Sequence, residues 1–283
     1  MTDAQLAILL VLASAVMHAT WNAIVKLSGD RLAVMAVVDS ICLVLAATLA
    51  LFVPLPAPAQ WGFLAVSGVI AVAYKIGLLG AYRHGDFSQA YPMMRGSAPV
   101  LVALISIGLG LEQLPWSGLA GIALISLGLF TLVDWRGGRP ILVAYALAAG
   151  VALAVSTLID GTAVRTHGSP LSYLAWLEVL EHLALPAYAL TARRPQYLAV
   201  LTGQWRRAGI GAVNRIGSYG LMVWAMSLAP IAPLAALRET SVVFGALIGY
   251  FIIKEKFGAR RVVATSLVLG GILVLQVARA GWA

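Results

Sequence analysis

Long apolar runs alternate with short polar connections along the whole chain. A membrane-spanning helix needs about 20 mostly apolar residues, because a hydrocarbon core about 30 Å thick is crossed at about 1.5 Å per residue. Ten runs reach this length, and they are too long and too rich in Ala and Leu to be strands. They cover 5–28, 33–54, 61–83, 87–111, 115–134, 140–163, 170–190, 207–229, 231–253 and 261–280. The pattern predicts an all-α polytopic membrane protein with ten transmembrane helices.

The connections between these runs are rich in helix breakers. Examples are Ser28-Gly29-Asp30, Gly85-Asp86 and Ser169-Pro170. Glycine, proline and small polar residues favour turns over continued helix. The longest connection, 191–206, contains Pro195 and several arginines, so we expect a loop that lies along the lipid headgroups.

An internal repeat divides the ten runs into two sets of five. A shift of 143 positions carries Arg95 onto Arg238 and Glu112 onto Glu255, each pair within similar apolar surroundings. The same shift carries Gly128 onto Gly271. Because each copy has an odd number of spans, the two copies are predicted to lie in opposite membrane orientations, as 1–138 and 139–283. Inverted repeats of this kind are a common plan of secondary transporters, whose substrate site lies between the halves.

The composition excludes a water-soluble domain. Of the 283 residues 61% are hydrophobic and 11% are charged, against about 45–50% and about 25% in soluble proteins. The net charge of +8 does not indicate nucleic-acid binding, because the basic residues cluster in short loops. The single cysteine, Cys42, excludes a disulfide within the chain and argues against a cysteine zinc site. The N terminus lacks a basic n-region, so the first run is expected to remain as a span.

Loop charge predicts an orientation. The connections after spans 1, 3, 5, 7 and 9 hold twelve basic residues, and the opposite side holds two, Arg165 and Arg279. The twelve are Arg31, Arg83, Arg136, Arg139, Arg193, Arg194, Arg206, Arg207, Lys254, Lys256, Arg260 and Arg261. By the positive-inside rule the richer side is cytoplasmic. We therefore expect a multi-pass protein of the cell inner membrane with both termini outward.

Ten charged residues lie inside the predicted spans. Each costs about 2.5–3.5 kcal/mol on insertion scales, so such residues usually face a cavity or a partner. The basic ones are Lys26, Lys75, Arg95, Arg215 and Arg238, and the acidic ones are Asp39, Asp160, Glu178, Glu181 and Glu239. Two interpretations stand side by side: structural ion pairs that join helices, or groups that line a substrate cavity.

The repeated arginines are the strongest candidates for a substrate site. Arg95 lies about eight residues into its span, about 12 Å deep. Prolines lie near both arginines, and Gly96 follows Arg95; these residues loosen the helix and free backbone groups to line a cavity. A guanidinium is a planar fork that matches carboxylate or phosphonate oxygens, so the functional hypothesis is an anion clamp between the halves. The structural alternative is a salt bridge to Asp39 or Glu178.

Further polar side chains are candidates for the same cavity. His18, Asn22 and Lys26 share one helix face at spacings of four. The predicted substrate-binding set is Arg95, Arg238, Lys75, Arg215, Asn22, Trp21, Tyr74, Asn214 and Tyr219. Asp39, Asp160 and Glu178 are predicted to bind an amine or to carry a coupling proton.

A metal site is a weak alternative for the acidic spans. Glu178 and His182 are four residues apart, which suits a proton-handling pair or part of a metal site. They do not form a His-Glu-x-x-His motif, and no second histidine is near. We expect no metal and no cofactor.

Two segments carry a family resemblance. Residues 121–128 after Glu112, and residues 229–234 running to Lys254-Glu255-Lys256, resemble the two EamA repeats of drug/metabolite transporters. The resemblance implies ten spans, an inverted repeat and a central substrate cavity. The opening of span 1, His18 to Lys26, is similar to a branch associated with phosphonate utilisation. That likeness implies a small organophosphonate or another anionic or zwitterionic metabolite, and the buried arginines suit an amino-acid carboxylate equally well.

The predicted function is a secondary transporter of a small anionic or zwitterionic metabolite that works by alternating access. Its partners are the solute, the bilayer and a proton or other coupling ion, and nucleic acid is not among them. A lipid-carrier flippase is the nearest alternative. A membrane-embedded enzyme is disfavoured because no nucleophile motif, metal set or glycine-rich phosphate loop is present. A receptor or scaffold is disfavoured because no soluble domain is predicted.

Overall fold

The computed structural model describes residues 2–84, 87–133, 140–166, 168–252, 254 and 258–278, and this part of the chain forms thirteen helices. The first half contains α1 (Asp3–Lys26), α2 (Arg31–Ala50), α3 (Pro58–His84), α4 (Phe87–Gly108) and α5 (Trp116–Thr131). The second half contains α6 (Pro140–Thr166), α7 (Pro170–Glu181), α8 (Ala184–Ala192), α9 (Arg194–Gly203), α10 (Trp205–Met226), α11 (Ile231–Arg238), α12 (Thr240–Phe251) and α13 (Ala259–Ala278).

Three helices begin at N-cap side chains, and two of these, Asp30 and Ser169, lie in predicted breaks. Thr2 and Gln5 form a capping box at the start of α1. The Asp30 side chain accepts a hydrogen bond from the Ala33 backbone N–H at 3.1 Å and begins α2. Ser169 caps α7 in the same way, just before Pro170. These side chains satisfy backbone donors that the first helical turn leaves unpaired.

The apolar spans agree with a polytopic membrane protein. In the described residues, seven helical segments are long and apolar enough to cross a bilayer: α1, α2, α3, α4, α6, the pair α11–α12, and α13. Helix α5 is apolar and shorter, with 16 residues. Bulky apolar side chains such as Leu51, Trp116 and Val277 are more than four-fifths exposed. An outer surface of this kind suits contact with lipid, and the all-helical membrane prediction is confirmed.

Two predicted spans are interrupted instead of continuous. The span 170–190 is divided between α7 and α8 at His182 and Leu183. Pro186 accounts for this break, because its ring crowds the carbonyl four residues earlier, that of His182, and it offers no N–H. The span 231–253 is divided at Glu239, where two backbone hydrogen bonds join residues three apart in sequence instead of the four of an α-helix. The expected loop at 191–206 was wrong, because most of it is α9.

Packing pairs recur between the two halves of the chain. Helix α1 packs on α10, and α3 packs on α6. Helix α1 also packs on α12, and α4 packs on α6. When the helices of each half are numbered as five spans, α1 on α10 joins span 1 of the first half to span 3 of the second, and α3 on α6 joins span 3 of the first half to span 1 of the second. In the same way, α1 on α12 joins span 1 to span 4, and α4 on α6 joins span 4 to span 1. Helices α5 and α13, the last span of each half, pack against each other.

Glycines set the distance between α5 and α13. A Cβ on Gly271 would lie 2.7 Å from the Gly121 carbonyl oxygen and 2.7 Å from Ile125 Cγ1. A Cβ on Gly128 would lie 2.9 Å from the Ala264 carbonyl oxygen. Small residues let membrane helices approach closely, and packing contacts then replace the hydrophobic drive that lipid removes.

Replacing Gly271 with leucine should destabilise the protein. The new side chain would meet backbone atoms of α5, which cannot rotate away, so we expect a loss of about 1–3 kcal/mol or more. Thermal unfolding in detergent measures the effect. Gly270→Leu is the matched control, because a Cβ at Gly270 meets no atom within 4 Å. Equal losses in the two variants would contradict this account of the α5–α13 contact.

Candidate functional site

A large hollow, here called the vestibule, enters the helix bundle from one end. Its volume is about 910 Å3. At the rim it is lined by the α1–α2 connection with Asp30 and Arg31, by Arg83 at the end of α3, and by Arg193 between α8 and α9. At its deep end it is lined by Trp21, Asp39, Tyr74, Lys75, Arg95 and Arg215. The vestibule therefore joins an arginine-rich face to the charged residues inside the bundle.

A smaller hollow, the inner chamber, lies beside the deep end of the vestibule. Its volume is about 90 Å3. The two hollows share His18, Trp21, Tyr74, Lys75, Arg95 and Arg215 as lining residues. The inner chamber is further lined by Ala71, Leu153, Ser156, Glu178, Glu181, Tyr219 and Arg238. Both repeated arginines thus face one hollow, with residues of both halves around it.

Arg95 is held by an acid of the opposite half. Its Nε donates to Glu239 Oε2 at 3.0 Å, and its Nη2 lies 2.8 Å from Glu239 Oε1. Both side chains are almost completely buried. The proposed partners Asp39 and Glu178 were wrong for this arginine, and the partner is the residue that follows Arg238.

Asp39 is the centre of a second charged network. Lys75 Nζ lies 2.8 Å from Oδ2, Arg215 Nε lies 3.4 Å from Oδ1, and His182 Nδ1 lies 3.2 Å from Oδ1. His182 Nε2 lies 2.6 Å from Glu178 Oε2. The histidine at the α7–α8 break therefore bridges Asp39 and Glu178. These two acids are engaged by protein groups.

Asp160 is held by hydroxyl groups. Ser67 Oγ and Tyr173 OH each donate to Oδ1 at 2.7 Å, and Tyr219 OH donates to Oδ2. The residue is fully buried, and no lysine, arginine or histidine nitrogen of the described residues lies within 4 Å of its carboxyl oxygens. Asp160 does not line either hollow. It lies behind Tyr219, which does line the inner chamber.

Arg238 has no carboxylate partner within 4 Å in the described part of the chain. Its Nη2 donates to Ser218 Oγ at 3.4 Å, and its guanidinium carbon lies 5.5 Å from the centre of the Tyr219 ring. Its buried Nε has no hydrogen-bond partner. A cation–π contact and one long hydrogen bond leave donors of a buried cation unsatisfied, which is costly unless a ligand accepts them.

The remaining candidates divide between lining and non-lining positions. Trp21 lines both hollows, and its ring lies 5.2 Å from the Arg215 guanidinium carbon. Asn22 lines the vestibule, with its amide donating to the His18 carbonyl at 2.7 Å. Tyr74 lines both hollows. Asn214 lines neither, and its amide donates to the Ile210 carbonyl of its own helix at 2.9 Å. Asn214 therefore does not belong to this cavity, contrary to expectation.

At the end of the bundle opposite the vestibule rim, Glu112 contacts both α11 and Arg165 of α6. Its carboxylate accepts from the backbone N–H groups of Ile231 and Ala232, the latter at 3.0 Å, and so caps α11. Arg165 Nη1 lies 3.1 Å from the same carboxylate, and Arg165 Nε donates to the Met226 carbonyl at 2.7 Å. Glu255, the repeat equivalent of Glu112, lies outside the described residues.

In the described residues no group of three or more His, Cys, Asp and Glu side chains is placed to hold a metal ion. The pair Glu178 and His182 points toward Asp39, with Lys75 and Arg215 adjacent. Two cations beside this cluster disfavour a bound metal cation, because like charges repel.

Glu181 and Glu239 are the residues of greatest interest that were absent from the predicted site. Glu181 precedes His182 and Glu239 follows Arg238, each at a helix break, and this proximity in sequence was the available signal. In a continuous helix adjacent side chains point about 100° apart, so neither residue was expected to share a cavity with its charged neighbour. The breaks in the helices change these directions.

Comparison with known proteins adds a family and a fold. A family model described as EamA-like transporter family matches residues 140–277, the second predicted half. The crystal structure of another protein is similar, with a TM-score of 0.76 and 17% sequence identity, and the match covers 98% of this chain and 99% of that one. At this identity the likeness shows the fold alone. No curated protein matches the sequence.

Proposed function

We propose, from the premise that this chain belongs through residues 140–277 to the EamA-like transporter family, that it is a secondary transporter of a small anionic or zwitterionic metabolite. The family makes it a multi-pass membrane protein of the drug/metabolite transporter type. The proposal adds the class of solute and the mechanism, which is alternating access between two halves.

One observation carries the class of solute. Arg238 is a buried guanidinium that lines the inner chamber without a carboxylate within 4 Å in the described residues. The other cations around it, Arg95, Lys75 and Arg215, are paired with acids. An unpaired buried cation is expensive in a protein interior, and a bound carboxylate or phosphonate group would compensate it.

The mechanism is supported by the asymmetry of the bundle. The vestibule lies at one end of the bundle, and the contacts of Glu112 with Arg165 and with α11 hold α6 and α11 together at the other. Interrupted helices at a midplane site are common in transporters with inverted repeats. Within the proposal the ten spans form two inverted halves, 1–138 and 139–283, with α7–α8 and α11–α12 each counted as one span. The exchanged packing pairs of α1 on α10 and α3 on α6 support this division.

The proposed orientation places the vestibule on the cytoplasmic side of the inner membrane. Its rim carries Arg31, Arg83 and Arg193, and basic residues favour the cytoplasmic face. Arg136, Arg139 and Lys256 of the predicted basic set lie outside the described residues. In this orientation the structure is open to the cytoplasm, with both termini outward.

A coupling ion belongs to the same proposal. Of the three predicted coupling residues, Asp39 and Glu178 are engaged by cationic groups, and Asp160 is held by hydroxyls. Protonation of Asp160 would break no ion pair. Tyr219 joins Asp160 to the inner chamber, because its hydroxyl donates to the carboxyl and its ring contacts Arg238.

Uptake by reconstituted protein tests the proposal. Purified protein in liposomes should accumulate labelled 2-aminoethylphosphonate or a small amino acid faster than protein-free liposomes, with and without an imposed pH gradient. The gradient arm shows whether a proton is coupled. The proposal is overturned if no anionic or zwitterionic solute enters faster than in the protein-free control.

A lipid-carrier flippase is the second candidate function, favoured by a further hollow of about 200 Å3. This side cavity lies between α1, α4, α5, α12 and α13, is lined mainly by apolar residues, and reaches Arg95 from Lys26 and Arg261. Apolar walls between helices suit an acyl or isoprenoid chain. Movement of a fluorescent polyprenyl phosphate between leaflets, with no solute uptake, would favour this second function.

A further inference from the structure

We propose that the inner chamber selects zwitterions: Arg238 binds the anionic group of the solute, and Glu181 binds its amine. This inference rests on the proposed transport function and names the substrate class more narrowly. Glu181 was not among the residues that the sequence assigned to amine binding, which were Asp39, Asp160 and Glu178. The structure gives each of those three another set of partners.

Most of the charged groups around the inner chamber are paired with one another, and two are not. Glu239 holds Arg95 with two contacts of 2.8 and 3.0 Å. Asp39 is paired with Lys75 and Arg215. His182, which also contacts Asp39, lies 2.6 Å from Glu178. Asp160 accepts from three hydroxyls and lies outside the chamber. The lining charges that remain are the guanidinium of Arg238 and the carboxylate of Glu181.

Glu181 is held in place through its backbone while its side chain stays available. It is the last residue of α7, immediately before the break at His182. Its carbonyl accepts a hydrogen bond from Lys75 Nζ. No lysine, arginine or histidine nitrogen of the described residues lies within 4 Å of its carboxylate. A carboxylate fixed at its base and unpaired at its tip is suited to accept from a ligand ammonium group.

The size of the inner chamber restricts the ligand. Its volume is about 90 Å3, several times the about 10–15 Å3 that a single water needs on this measure, so the chamber suits a small ligand. β-Alanine and 2-aminoethylphosphonate, with roughly six or seven non-hydrogen atoms each, are ligands of this small size. Each carries an ammonium group and an anionic group at the two ends of a short chain.

The two unpaired charges also reject ligands of a single charge. A simple anion would satisfy Arg238 and place its negative charge beside Glu181, and a simple amine would satisfy Glu181 and meet Arg238. Unpaired charges in a desolvated site are a general means of excluding the wrong ligand. A zwitterion compensates both groups at once, and the occupied chamber gains no net charge.

Matched pairs of ligands test the inference. Binding to purified protein in detergent is measured calorimetrically for β-alanine against propionate, and for 2-aminoethylphosphonate against ethylphosphonate. The members of each pair differ by the amine. The wild-type protein should bind the zwitterion at least about 10-fold more tightly, which is the size expected for a hydrogen bond between charged groups. In the Glu181→Gln variant the two affinities should become equal within about threefold, because the amine loses its charged acceptor.

The outcomes separate this inference from the proposed function. Asn214→Ala is the control, because Asn214 lies outside both hollows, and it should keep the wild-type preference. If the anions bind as tightly as the zwitterions in wild-type protein, or if Glu181→Gln keeps the preference, the role of Glu181 is wrong and anion transport stands. If no ligand of either pair binds and none is transported, the proposed function is wrong, and this inference with it.

Discussion

Replacing Arg238 with glutamine should abolish binding and uptake of anionic and zwitterionic solutes. Glutamine keeps hydrogen-bond donors at a similar length and removes the charge, so the loss measures the cation itself. Truncating one partner of a buried charge pair costs about 2–5 kcal/mol, so we expect a loss of affinity of at least about 100-fold. The thermal unfolding temperature should stay the same or rise, because a buried cation without a carboxylate partner is removed. Calorimetric binding, liposome uptake and unfolding in detergent give the three measurements.

Arg206→Gln is the control for this variant. Arg206 is exposed, its guanidinium carbon lies 5.4 Å from the Trp205 ring, and it lines neither the vestibule nor the inner chamber. It should bind and transport as the wild-type protein does. If Arg238→Gln also keeps its affinity, then Arg238 does not bind the solute, and the class of substrate proposed for the inner chamber is wrong.

Replacing Arg95 with glutamine should destabilise the protein by about 3–5 kcal/mol. The reason is the carboxylate of Glu239, which is 3% exposed and would lose the partner that contacts both of its oxygens. Arg95 and Arg238 are equivalent in the sequence repeat, and their variants are expected to differ. Arg95→Gln should lose stability, and Arg238→Gln should lose solute binding. Chemical unfolding in detergent measures the change in the free energy of unfolding.

A double variant shows whether the loss comes from the pair. Arg95→Gln combined with Glu239→Gln should recover most of the stability, because two neutral amides replace two opposite charges of similar size. Glu239→Gln alone should be as harmful as Arg95→Gln alone. Additive losses in the double variant would mean that Arg95 and Glu239 do not act on each other.

The helices and their membrane character could be predicted from the sequence because both follow from local pattern. Runs of about 20 apolar residues specify spanning helices wherever they occur. Caps such as Asp30 and Ser169 marked the beginnings of α2 and α7. The break at His182 was also encoded locally, through Pro186, yet the apolar run continues across it and conceals it. The break at Glu239 has no such local cause in the sequence.

The sequence identifies the charged residues within the spans, but it did not place Glu181 and Glu239 in the site, and it did not give the pairing. Arg95 and Arg238 are indistinguishable in the repeat, because both are buried arginines near prolines. The structure distinguishes them, because Glu239 contacts Arg95 where α4 packs against α11. Asn214 was expected in the cavity because it is a polar residue within a span, and its position outside both hollows is set by how α10 packs in the bundle. Burial of a charge points to a partner or a ligand, and coordinates decide which.

Helix α11 has eight residues, so it is about 12 Å long. Glu112 accepts a hydrogen bond from its first turn, and Arg238, its last residue, lines the inner chamber. A helix this short transmits displacement from one end to the other with little bending. Under the proposed function, solute binding at Arg238 can couple through this helix to the Glu112 contact, and any such coupling is reciprocal: a change that weakens the contact alters the affinity for the solute, and the solute alters the contact by the same factor.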